Sequence, residues 1–296
     1  MDDPLDYYST HGPITGPGEH ASLFDALPPD IGALCEIVQG LVLHPFWAPQ
    51  YGAQVPKERE EEVQLRHVSK MLARIHELDV RPLREPRPLE KRLIGNCRDF
   101  TVLLTSMLRH QGVPARARCG FAAYFLRGRY EDHWVCERWD AGKGRWGLVD
   151  AQLDGLQRKV TAIPFDPLDV PRDQFLVGGA AWRMCRSGQA DPDRFGLSVI
   201  NESGIWWVRQ NLIRDVAALN KMEFLPWDGW GPLMNMDPEN TADDLALLDN
   251  VADSTRRDVS FDEIVGVYQT TEALRVPPTI RSYRPGGGVL VQIASE

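Results

Sequence analysis

Apolar residues recur at helical spacing in "DIGALCEIVQGLVLHPF". Ile31, Leu34, Ile37, Val38 and Leu41 share one face and Asp30 offers an N-cap, so the stretch predicts a helix. "KEREEEVQLRHVSKMLARIHELD" predicts a longer amphipathic helix, with Val63, Leu65, Val68, Leu72, Ile75 and Leu78 approximating one stripe. From Asn96 onward the signals reinforce one another. Asn96 is a good cap, and Phe100, Leu103, Leu104, Met107 and Leu108 form a stripe that Val102 widens. Gly112 suits the left-handed residue after the helix, and Pro114 forbids continuation. The period then falls to two. "ARARCGFAAYFL", "HWVCERWD" and "RWGLVDA" predict three strands, the last two joined by the turn "AGKG". One helix followed by antiparallel strands predicts an α+β layer.

The flanks differ in character. Residues 1–30, rich in Gly, Pro and Asp, read as a flexible N-terminal arm. Residues 31–155 read as the α+β core with its N-terminal helices, and 156–296 as a mainly helical extension packed on it. In that extension "SGIWWVRQNLIRDVAALNKM" and "DDLALLDNVAD" predict helices. "IPFDPLDVPRDQF" reads as irregular chain, and "RPGGGVLVQIASE" as a flexible tail or short edge strand. Trp206, Trp207, Phe224, Trp227 and Trp230 read as a core joining the C-terminal helices to the α+β layer.

Charge and composition narrow the function classes. The 296 residues carry a formal net charge of −9, which repels phosphate backbones and argues against a nucleic-acid partner. The most basic stretch, residues 81–98, reads as a solvated Pro-rich connector. No apolar run reaches the length of a membrane helix, and the N-terminus lacks the order of a signal peptide, so the expectation is a cytoplasmic protein. Five scattered cysteines, an odd number, argue for reduced thiols rather than a disulfide framework.

Candidate chemistry comes from the hairpin. If Ala141–Gly144 is its loop, Asp140 pairs with Arg145, Trp139 with Trp146, Glu137 with Leu148 and Val135 with Asp150. His133 then lies diagonal to Asp150 on one face, at about 7–8 Å between backbones. A loop one residue longer or shorter would flip that parity. Cys97 opens the predicted helix, where free N–H groups and the dipole stabilise a thiolate. A Cys…His…Asp order over a helix and two strands is a known arrangement for a thiol nucleophile.

"GNCRDFTVLLTSMLRHQGVPARARCGF", "HWVCERW" and "RWGLVDAQLD" together resemble the core of the transglutaminase-like superfamily over residues 92–154. The resemblance implies a papain-like fold with Cys97 as nucleophile, His133 as general base and then acid, and Asp150 as orienter. It implies a bacterial member of that superfamily, a cysteine hydrolase or acyltransferase acting on an amide, ester or thioester, whether peptide or small molecule. The alternative is a non-catalytic scaffold that keeps the fold. No cofactor or metal is expected, and no Asp-x-Asp-x-Asp-Gly calcium loop occurs. Asn96, Gln50, Trp47 and Arg92 are all open as the second oxyanion donor.

Near the site, Trp134 and Glu137 are candidates for the substrate cleft along with Asn96. Arg116 and Arg118 alternate on one strand face, where a solvated edge is the simpler reading than a carboxylate clamp. His133-x-x-Cys136 is no zinc half-site, because strand alternation sends the two side chains to opposite faces. Cys35, Cys119, Cys136 and Cys185 read as core thiols.

Overall fold

The computed structural model describes residues 3–236, 240–255, 260–284 and 287–293. The architecture is α+β, in two compact units. One is formed by the chain up to Ala117 together with Val135–Val170, the other by Arg118–Trp134 and the chain from Pro171 onward.

The first unit begins with α1 (Pro4–Tyr8), capped by Asp3, and α2 (Ile31–Leu41), capped by the Asp30 carboxylate on Ala33 N–H at 2.8 Å. β1 (Val42–Leu43) follows. The expected long helix then breaks in two, a 3-10 segment over Lys57–Gln64 and α3 (Val68–Leu78). The break has an electrostatic reason. Glu62 is buried and accepts from Arg59, from Arg74 and from Ile94 N–H at 2.9 Å, on β2 (Leu93–Ile94). Arg66 is 1 % exposed within the interruption itself. β2 in turn pairs parallel with β1.

The Pro-rich stretch before β2 is not a solvated connector. It is wound around the guanidinium of Arg87, 1 % exposed, which donates to the carbonyls of Arg81, Pro82 and Glu85 at 2.6–2.9 Å.

Then comes α4 (Cys97–His110), in which every residue from Cys97 to Arg109 is buried. Its apolar side packs on Leu34, Val38, Leu41, Leu72 and Ile75. Its polar side is covered too, by residues expected to be a flexible arm. Ser106 Oγ donates to Thr15 O at 2.6 Å, Arg109 Nη1 to Thr15 Oγ1 at 2.8 Å, and Val68 N–H to Ile14 O at 2.9 Å. Tyr8, Ile14, Thr15 and Phe24 are at most 1 % exposed. The Gly/Pro-rich composition of this segment serves close wrapping rather than looseness.

β3 (Ala115–Ala122) and β4 (Tyr130–Asp140) each contribute residues to both units. β3 stops at Ala122, short of the expected end. β5 (Arg145–Val149) closes the hairpin with β4, pairing Asp140 with Arg145, Trp139 with Trp146 and Glu137 with Leu148. α5 (Gly155–Thr161) is capped by Asp154. The chain leaves this unit at Val170 rather than at 155. Asp150 N–H donates to Pro167 O and Val170 N–H to Leu148 O, which hold residues 163–170 against β5.

The second unit is mixed rather than mainly helical. β6 (Phe175–Val177) pairs with β3; α6 (Gly178–Arg186) follows; β7 (Phe195–Leu197) pairs with β4 and with β8 (Glu202–Ser203). α7 (Ile205–Leu219) is its central helix, buried from Trp207 to Leu219. β9 (Asp228–Gly229), α8 (Ala242–Ser254), α9 (Phe261–Thr270), β10 (Thr279–Arg284) and β11 (Gly287–Gln292) complete it. β11 is an edge strand on β10, while residues 285–286 and 294–296 of the expected tail lie outside the described residues. α6 approaches α7 so closely that a Cβ on Gly178 would sit 2.6 Å from Asn211 O, hence the glycine.

Arg118 is no solvated edge residue. Its Nε and Nη2 meet both oxygens of Asp215 at 2.9 and 2.8 Å, with both side chains at most 2 % exposed. Removing one member of such a pair strands a buried charge, which typically costs about 3–5 kcal/mol. Asp215→Ala should therefore lower unfolding free energy by about that amount in urea titrations. A loss under about 1 kcal/mol would mean that the pair is dispensable.

Candidate active site

Cys97 is the first helical residue of α4 and 7 % exposed. The local chemistry that starts the helix there is a capping box. Asn96 Oδ1 accepts from Arg98 N–H at 2.9 Å, and Asp99 Oδ2 accepts from Asn96 N–H at 2.8 Å. Gly95 precedes the cap because a Cβ there would lie 2.9 Å from Asp99 Oδ2 and from Val42 Cγ1. The first-turn N–H groups of a helix are not claimed by its own i→i−4 ladder, and Cys97 stands at the head of that turn. Thr101 Oγ1 donates to Cys97 O at 3.1 Å.

Behind the cap lies a buried charge pair. Arg98 is wholly buried, donating to Arg66 O at 2.6 Å and to Asp99 Oδ1 at 3.1 Å. Burial pushes the Asp99 carboxyl up to about 6, against the opposing pull of Arg98 and the Asn96 N–H.

Asp150 follows β5 and is 1 % exposed. Its Oδ1 accepts from Gln152 N–H at 3.0 Å, a local turn that fixes the carboxylate. Ala151 O accepts from Gln39 Nε2 of α2 at 3.1 Å. Beyond it a polar chain that the local sequence does not announce lines a small pocket of about 10 Å³, room for about one water. Gln152 Nε2 donates to Gln157 Oε1, Gln157 Nε2 to Tyr51 Oη, and Tyr51 Oη to Asp154 Oδ2 at 2.6 Å. Tyr51 and Asp154 are 103 residues apart in the chain, so no local pattern announces the contact.

His133 lies on β4 in the other unit, 2 % exposed. Aromatic rings hold its imidazole edge-on: Phe125 at 4.9 Å, Tyr124 at 6.0 Å and Phe175 at 6.3 Å between centroids. These partners were missed because "AAYFL" reads as strand. The strand instead ends, and the loop that follows carries Tyr124 and Phe125 to the histidine.

The remaining sequence candidates sort by their partners. Glu137 is 1 % exposed and accepts from Arg116 Nε at 2.6 Å, and that guanidinium lies 4.2 Å from the Trp146 ring centre and 5.1 Å from that of Tyr8. Arg116 is thus paired in the interior rather than solvated at an edge, and it occupies the carboxylate expected to meet substrate. Trp134 is 1 % exposed, and its indole N–H has no hydrogen-bond partner. The Asn96 side-chain nitrogen, Nδ2, likewise has none.

All five cysteines are reduced thiols. Burial pushes Cys136 up to about 11 and Cys185 up to about 12, and raises Cys35 well above the ordinary thiol range. Among the described residues, no group of three or more His, Cys, Asp or Glu side chains is placed to hold a metal ion. No helix among them is long and apolar enough to cross a membrane.

Comparison with known proteins gives a family match over residues 52–151, to the core model of the transglutaminase-like superfamily. No curated protein matches significantly. Among solved structures, a candidate cysteine protease from Cytophaga hutchinsonii is similar at 14 % identity and a TM-score of 0.36. That similarity covers 60 % of this chain and 46 % of that one, so the chain spans less than half of that protein's length.

The Asp99 carboxyl yields a pH test. Its folded value, about 6, lies above the ordinary 3.8, so the folded state holds this proton more tightly than the unfolded one. The associated stability is full below about pH 4, falls as pH rises to about 6 and is flat above. Each tenfold gain in proton affinity is worth about 1.4 kcal/mol, so the expected loss is about 2–3 kcal/mol. Urea titrations from pH 4 to 7, referenced to Asp99→Asn, should show that decline in the wild-type difference. A difference that rises with pH would contradict it.

Proposed function

We propose that this chain, whose residues 52–151 match the core model of the transglutaminase-like superfamily, is a member of it and a cysteine-dependent acyl-transfer enzyme acting through Cys97, His133 and Asp150. The observation that carries the reading is the register of the β4–β5 hairpin. Asp140 stands opposite Arg145 and Glu137 opposite Leu148, so the loop has the parity that the reading requires. The reading supposes that Asp150 faces Val135, one pair beyond Cys136–Val149, with His133 two residues along β4 on that face.

The roles follow from chemistry. The Cys97 sulfur, at the open end of α4, adds as thiolate to an amide, ester or thioester carbonyl. His133 takes the thiol proton and returns it to the leaving group, and Asp150 fixes the tautomer that makes this possible. Water then releases the acyl group from Cys97 in a hydrolase, and an amine takes it in a transferase. Hydrolysis is the default, because transfer needs an acceptor site that keeps water out. Cys35, Cys136 and Cys185 do not compete, since burial holds them protonated at neutral pH.

A second reading, a scaffold that retains the fold without chemistry, is favoured by one observation: Cys97 is only 7 % exposed and His133 and Asp150 less. Iodoacetamide labelling of Cys97 against pH separates the two. The enzyme requires a labelling pKa well below about 8.5, rising in His133→Ala. With an activated ester, Cys97→Ala should abolish acylation and Asp150→Asn should slow it by about 10³–10⁴, the scale of losing the orienting carboxylate. A Cys97 that labels slowly, with an unperturbed profile indifferent to His133→Ala, favours the scaffold.

A further inference from the structure

We propose that the side-chain amide of Asn96 is the second oxyanion donor. Its Nδ2–H, together with the backbone N–H of Cys97, would receive the oxygen that turns negative as the thiolate adds to the carbonyl. The inference rests on the reading of Cys97 as nucleophile and adds to it the group that stabilises the charge.

The observation is an unspent donor in a place where none is needed for folding. Asn96 is 6 % exposed. Its Oδ1 is committed to Arg98 N–H at 2.9 Å, and the amide cannot be turned over without aiming a donor at a donor. The other side-chain atom is therefore Nδ2, and it is buried with no partner. Orphaned buried donors are costly and rare, so this one calls for a role. Capping does not supply it. An N-cap needs only an acceptor oxygen, which Ser, Thr or Asp would provide as well. What asparagine adds over those residues is the N–H pair, on the residue immediately before the nucleophile.

The competing donors are otherwise engaged or placed. Arg92 donates to Arg87 O at 2.9 Å and to Gln39 O at 3.0 Å. Gln50 is exposed and Trp47 half-buried. Neither has the combination of burial and a vacant donor that Asn96 shows.

The step balances without further groups. The thiolate pair forms the S–C bond, the carbonyl π pair moves onto oxygen, and that oxygen accepts from Nδ2–H and the Cys97 N–H. When the tetrahedral adduct collapses, the pair re-forms the C=O bond. The leaving group departs with the proton from His133, and the carbonyl oxygen's hold on Nδ2 weakens again. A donor that bonds strongly only to the adduct acts on rate rather than on substrate binding.

The test separates carbonyl addition from displacement. p-Nitrophenyl acetate acetylates a thiol through an oxyanion, whereas iodoacetamide alkylates it through none. Asn96→Asp keeps the cap oxygen and removes every side-chain donor, and Asn96→Ser keeps a cap oxygen and replaces the amide N–H by a shorter-reaching hydroxyl. The expected result is that Cys97 acetylation, corrected against Cys97→Ala, falls about 100-fold or more in Asn96→Ser and in Asn96→Asp. Iodoacetamide labelling of Cys97 in Asn96→Ser should stay within about threefold of wild type. Asn96→Asp adds a charge beside the thiol, so its alkylation rate serves to correct its acetylation rate. If wild type is acetylated and Asn96→Ser is acetylated within threefold as fast, the amide is no oxyanion donor and only this inference fails. If acetylation and alkylation of Asn96→Ser fall together, the amide acts on the thiolate, and the inference again fails. If wild-type Cys97 alkylates but no acyl donor acetylates it, the acyl-transfer reading itself fails and takes this inference with it.

Discussion

A helix buried on all sides can keep polar residues only if each finds a partner inside the protein, and α4 is such a helix. Its apolar stripe would have sufficed to pack one face. Arg98, Asp99, Thr101, Thr105, Ser106 and Arg109 lie on the remainder, all buried. Arg109 Nε reaches Ala115 O at 2.8 Å, Thr105 Oγ1 reaches Cys136 Sγ at 3.4 Å, and Ser106 reaches the backbone of Thr15. The chain before residue 30 is what makes this possible, because it supplies acceptors where water would otherwise be needed. The first position of this helix, held by Cys97, is thereby fixed by interactions along the helix's whole length.

The second unit solves the same problem around α7. Asp215 receives the fork of Arg118 and also the Cys119 N–H at 3.0 Å. Asp132, beside His133 in the chain, accepts from Trp207 Nε1 at 2.5 Å and from Asn211 Nδ2 at 2.9 Å, and Asn211 also holds Gly120 O. Burial raises the Asp132 carboxyl even with Arg214 nearby. These bonds tie the start of β4 to α7 through charged and amide groups, which are directional, rather than through apolar packing, which is not. His133 stands one residue on from that anchor, with its ring among Tyr124, Phe125 and Phe175.

The elements governed by local rules were legible in the sequence. Asn96 as cap, Gly112 as the left-handed terminator and the four-residue turn Ala141–Gly144 each depend on residues within one turn of themselves, and each is present. What escaped was set by distant partners. Nothing near Glu62 says that Ile94 N–H and Arg74 will meet it and break a helix. Nothing in residues 1–30 says that Thr15 will meet the side chains of Ser106 and Arg109, far along the chain. Arg116 and Arg118 alternate as a solvated edge would, yet both enter the interior because Glu137 and Asp215 neutralise them there. Charged residues mislead a pattern reading whenever the partner lies far along the chain. The domain boundary was missed for the same reason, since residues 163–170 are held by backbone bonds to β5 that composition does not encode.

Where polar satisfaction is incomplete is as telling as where it is complete. Asn96 Nδ2, Trp134 Nε1 and Gln152 Oε1 are buried without partners, in side chains that are otherwise at most 6 % exposed. In the chain they stand one residue before Cys97, one after His133 and two after Asp150. Other buried side-chain atoms, Arg87 Nε and Gln111 Oε1 among them, also lack a hydrogen-bond partner, whereas the hydroxyls of Thr101, Thr105 and Ser106 are matched one by one. Leaving three unpaired beside the three residues proposed for chemistry gives up stability there. An amide or indole N–H held open in a water-poor interior gains most when charge develops beside it, because no solvent competes for the bond. The same physics that forces partners on α4 along its length therefore gives the unpaired amide nitrogen of its cap residue a reason to stay so.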